Sequence, residues 1–75
     1  MTSAERHADE LVALAGSGAP VADGLVRFEQ IFDAYMIETP GGFVDKRRAL
    51  LDAFLKRAPE GDLAGLIIDR LGGTP

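Results

Sequence analysis

Cysteine is absent from this chain, and histidine occurs once, as His7. The first absence removes disulfides, thiolate metal ligands and thiol nucleophiles together. The second leaves no cluster of imidazoles for a zinc site within one chain. Tryptophan is also missing. No apolar run approaches the roughly 20 residues that a membrane-spanning helix needs, and Glu5, Asp9 and Glu10 interrupt residues 1–15 where a signal peptide would be uniformly apolar. A cytoplasmic location is the expectation.

What remains is a chain of 75 residues with a formal net charge of −4. A domain of this size buries only about 60% of the surface its unfolded chain exposes. Small scaffolds are often supported by disulfides, a metal or association. With disulfides removed and no cluster of imidazoles to hold a metal, association is the support to look for. The charge is unevenly spread. Residues 1–45 carry two basic and eight acidic side chains, net −6, and residues 46–75 carry six and four, net +2. Such a split suits a head-to-tail arrangement with a partner or a second copy.

Apolar spacing predicts helices throughout, and no stretch alternates as a half-buried strand would. Thr2 and Glu5 stand at capping-box spacing, so helix 1 is expected over Ser3–Ala15, ended by Gly16 in the left-handed conformation. Its small Ala4 and Ala8 bury little area, which predicts a weakly anchored element. Pro20 or Val21 opens helix 2, where a proline costs no hydrogen bond. Pro40 closes it, because the residue before proline avoids helical geometry. Helix 3 is expected to begin between Phe43 and Asp45, with Asp45 as its cap, Val44 as a hydrophobic staple, and i, i+4 charge pairs Arg48–Asp52 and Asp52–Lys56 along its side. Pro59 stops it, and Asp62 can cap a short helix 4 that carries Leu63, Leu66, Ile67, Ile68 and Leu71.

The fold expected is therefore all-α, a small bundle of four helices with short connections. It forms a single domain over 1–75, with an N-terminal helix and flexible link over 1–18, a core over 20–71 and a tail over 72–75. Helix 2 is expected to be central, because Val21, Leu25, Phe28, Ile31, Phe32, Tyr35 and Met36 cover an arc of about 140°, wider than one contact face requires. Helix 3 should pack antiparallel to it, with Phe28, Phe32, Leu50 and Phe54 in the shared core and helix 4 closing one side.

Chemistry finds little to work with. His7 lies among acidic neighbours on the polar side of helix 1 and reads as a solvated histidine. Any Ser-His-Asp arrangement would have to use the N-terminal third, a poor scaffold for a site. Glu29 and Asp33 share a helical face, but di-metal bundles need Glu-x-x-His motifs that this chain lacks. Gly41-Gly42 has neither the spacing nor the lysine of a phosphate loop. Lys46-Arg47-Arg48 is the only basic run, and the acidic balance of the whole argues against nucleic acid. Its flanking Phe43, Val44, Leu50 and Leu51 are read as core.

No catalytic, cofactor or metal site is expected, and no small-molecule substrate. The function expected is a non-enzymatic protein–protein interaction module, an adaptor, docking unit or small subunit, that presents an apolar helical surface to another chain or to itself as a homodimer. Val26, Ile37 and Ile68 are the anchor residues expected, because they lie outside the main apolar arcs, and Arg47 and Arg48 would orient the partner at the rim. The alternatives are an accessory subunit of an enzyme on a separate chain and, from another class, a DNA-associated regulator of antitoxin type.

Overall fold

The chain enters its first helix at Ser3 because Thr2 and Glu5 satisfy each other's free amides. The Thr2 amide donates to Glu5 Oε1 at 2.9 Å, and the Glu5 amide donates to Thr2 Oγ1 at 3.1 Å. The bond from the Thr2 amide, reinforced by the hydroxyl, holds the Glu5 carboxyl below its ordinary pKa. The structure, a computed structural model, describes residues 1–72. These form four helices and no strand: α1 (Ser3–Ala15), α2 (Val21–Glu38), α3 (Phe43–Lys56) and α4 (Asp62–Gly72). None of them is long and apolar enough to cross a membrane. The tail expected over 72–75 falls outside the described residues except for Gly72, which is the last residue of α4.

The four-helix bundle is as expected, but its centre is not. α1, not α2, is the central element. It packs against both α2 and α3, and it also reaches α4. Ala8 and Leu11 are fully buried between these neighbours. The small side chains that suggested weak anchoring let α1 approach two helices at once. α2 and α3, expected to be partners, meet mainly near their shared turn, where the Tyr35 hydroxyl donates to the Lys46 carbonyl at 2.8 Å. α4 packs on α3 and on α2, burying Leu63, Ala64, Ile67 and Leu71.

Two close-packed features fix this arrangement. Gly24 lies under Leu63, so that an added Cβ would overlap Leu63 Cδ2 and come within 3.0 Å of Cδ1. The glycine there lets Leu63 pack directly against α2, and any added side chain has to displace the end of Leu63. On the other side, Arg57 of the α3 C-cap pairs with Asp9 of α1 and also donates to the Ala53 carbonyl at 2.8 Å.

The other local expectations meet mixed outcomes. Phe28, Leu50 and Phe54 are buried, and Phe32 packs partly buried against the same core. Gly42, not Asp45, caps α3, without a side-chain bond, so helical geometry begins at Phe43. Gly16 has φ −90, and the left-handed position after α1 is Gly18 at φ 78. The Arg48–Asp52 and Asp52–Lys56 pairs are not formed among the described residues, where the ion pairs join different helices or, for Arg57, the C-cap of α3 to α1.

Candidate interaction surface

The polar groups inside the bundle are occupied with one another. His7, expected in solvent, is 3% exposed. Its Nδ1 lies 2.7 Å from the Ser3 carbonyl, and since a carbonyl only accepts, Nδ1 carries the hydrogen. The ring tilts against Tyr35 at 5.1 Å, and Nε2 lies 3.4 Å from Glu38 Oε2, which also takes Arg6 at 3.1 Å. A backbone bond four residues back and an aromatic neighbour make burial of this imidazole tolerable, which the polar flanks of His7 in the sequence conceal.

Ser3, His7 and Glu38 thus come together as a serine, a histidine and a carboxylate, and the geometry does not make a nucleophile. The nitrogen nearest Ser3 Oγ, at 3.4 Å, already donates its hydrogen to the carbonyl and cannot accept the serine proton. Ser3 Oγ is instead 2.6 Å from Thr39 Oγ1. Tyr35 donates to Lys46 as described, and its burial raises the phenol pKa. Lys46 Nζ donates to the carbonyls of Met36 and Thr39 at 2.7 and 2.8 Å, closing the C-terminal end of α2. Among the described residues no buried side-chain nitrogen or oxygen lacks a partner, and no three His, Asp or Glu side chains converge as metal ligands would.

Five of the exposed large apolar side chains lie on two helical stripes, and Met1, Val21 and Leu66 are exposed elsewhere. The first is the outer face of α2, opposite its buried Phe28, Ile31 and Tyr35. Val26 and Ile37 are 58% and 86% exposed on it, with the exposed carboxylates of Glu29 and Asp33 between them. Glu29 lies 3.6 Å from Arg70, and Asp33 has no ion pair among the described residues. The second stripe is the flank of α3. Phe43 and Val44, which the sequence suggests are core, are 56% and 64% exposed. Phe43 stands edge-on to Phe32 at 6.2 Å, and the Arg47 guanidinium lies 5.5 Å from the centre of the Phe43 ring.

Val44, Arg47, Arg48, Leu51 and Asp52 line a cleft of about 170 Å³ that Leu71 and Gly72 of α4 close on one side. Leu55, one turn further along α3, is also exposed. Neither Arg47 nor Arg48 makes an ion pair among the described residues.

Of the five residues expected to bind a partner, Arg47 and Arg48 share this cleft, while Val26 and Ile37 share the stripe on α2. Ile68 belongs to neither stripe. It is half-buried and packs against the core, where the broad apolar arc of α4 meets its neighbours. Phe43, Val44 and Leu55 are the surface residues that the sequence reading missed. Assigning the helix cap to Asp45 placed Phe43 and Val44 in the interior. The i, i+4, i+7, i+11 spacing of Val44, Arg48, Leu51 and Leu55 was the available signal.

No family model, no curated protein and no solved structure matches this chain.

Proposed function

We propose that this chain is a non-enzymatic protein–protein interaction module that docks a partner through the apolar stripes of α2 and α3. The observation that carries this reading is the exposure of Phe43, Val44, Val26 and Ile37 in a domain whose core is already filled by other side chains. Exposed apolar residues cost solubility and contribute little to folding, so their recurrence along two helical stripes is best accounted for by a partner. An aromatic ring beside an unpaired guanidinium is also the composition of interface hot spots. Helix-in-groove docking is the mode that fits, with the spaced apolar side chains as anchors and Arg47 and Arg48 selecting carboxylates at the rim. An accessory subunit of a separately encoded enzyme would use the same surface in the same way.

The test is affinity capture from the native cell with the wild-type chain and with two surface variants, Val44→Asp and Ile37→Asp. The expected result is a defined partner retained by the wild type and lost from at least one variant. Identical capture by all three would remove these stripes from consideration. Ile68→Asp is unsuited to this test, because it would disturb the core contact of a half-buried side chain.

A further inference from the structure

The two exposed stripes have matching layouts. On α2, Val26 and Ile37 are apolar ends 11 residues apart, and Glu29 and Asp33 lie between them. On α3, Val44 and Leu55 are apolar ends 11 residues apart, and Arg47, Arg48 and the exposed Asp52 lie between them. At 1.5 Å per residue each pair of ends is separated by about 16 Å along its helix. One stripe therefore carries two carboxylates between apolar anchors, and the other carries two guanidiniums and one carboxylate, a net positive charge, between anchors at the same separation.

We infer that the occupant of the α3 stripe is the α2 stripe of a second copy of this chain, with the two helices antiparallel. In that register Ile37 meets Val44 and Val26 meets Leu55. Asp33, four residues in from Ile37, comes level with Arg48, four residues in from Val44, and this is the charge pair of the register, since Glu29 comes level with Asp52. The reversed alignment also sets opposite helix dipoles side by side. Asp33, Arg47 and Arg48 have no ion pair within the described part of the chain, so the contact between copies supplies charges that the monomer leaves unmatched. It also extends the small core of the domain, which has no disulfide to support it. This inference rests on the docking reading above and names the partner.

Sedimentation equilibrium of the whole chain tests it. The wild type should self-associate, and more weakly as salt is raised. Arg48→Glu, and separately Asp33→Lys, should each weaken association about tenfold, because like charges then face each other at that pair. An equal mixture of the two variants should associate again, since each offers a surface complementary to the other. Both positions are exposed, and the folding of each variant is monitored by circular dichroism. A wild type that stays monomeric at millimolar concentration overturns the inference, as does a mixture that fails to recover. Either failure leaves the docking reading to be decided by the capture experiment, which does not depend on self-association.

Discussion

Leu11→Ala is expected to destabilise the domain by about 2–5 kcal/mol, the range for removing a fully buried leucine from a core that relaxes only in part. Leu11 is 0% exposed on the helix that touches all three others, so no single neighbour can move in to fill the space. Small domains are stable by only about 5 kcal/mol or a little more, so the variant should be largely unfolded well below the wild-type transition. Urea titration followed by circular dichroism measures the difference, and Leu14→Ala, at a half-buried position on the same helix, is the comparison. A Leu11→Ala curve that overlays the wild type would return α1 to the peripheral role its alanines suggest.

The next largest effect is expected at Gly24. Gly24→Val should cost about 1–3 kcal/mol, since the added branch has to displace Leu63 in a packed α2–α4 contact. Gly24→Ala should be much milder. Its gain of about 1 kcal/mol in helix propensity offsets the shift it forces on the end of the Leu63 side chain. Thermal melts of the two variants beside the wild type provide the check. Equal stability of all three would mean that α4 sits further from α2 than the close approach of Gly24 and Leu63 requires.

The boundaries of the helices were largely legible in the sequence, because each end is marked by local chemistry. The Thr2–Glu5 box opens α1, Pro20 precedes α2, Pro40 follows it, and Pro59 lies beyond α3. Arrangement was less legible, since it depends on which surfaces can approach closely. Ala8 looked like a weak contact by area, yet its small size is what puts α1 against two helices. His7 looked solvated by its neighbours in sequence, while Ser3 and Tyr35 make it a buried side chain through contacts in three dimensions. The short turn from Thr39 to Gly42 suggested that α2 and α3 lie along each other, but α1 takes that place for both.

The candidate surface divides the same way. Val26 and Ile37 were visible because they lie far from the main arc of one long helix, and a helical projection is enough to find them. Arg47 and Arg48 were visible as the basic run. Ile68 lies outside the densest arc of α4 yet is half-buried, because that short helix is covered on more than one side. Phe43 and Val44 were hidden by a plausible cap one turn too late.

The most direct test of the account is to separate folding from association in one molecule. In the double variant Ile37→Asp with Val44→Asp, unfolding is measured in dilute solution, where contacts between molecules do not contribute, and sedimentation is measured at high concentration. Stability within about 0.5 kcal/mol of wild type, together with lost self-association, is the expected result for two side chains that serve only contacts between molecules. A variant that unfolds, or one that associates as the wild type does, would contradict it.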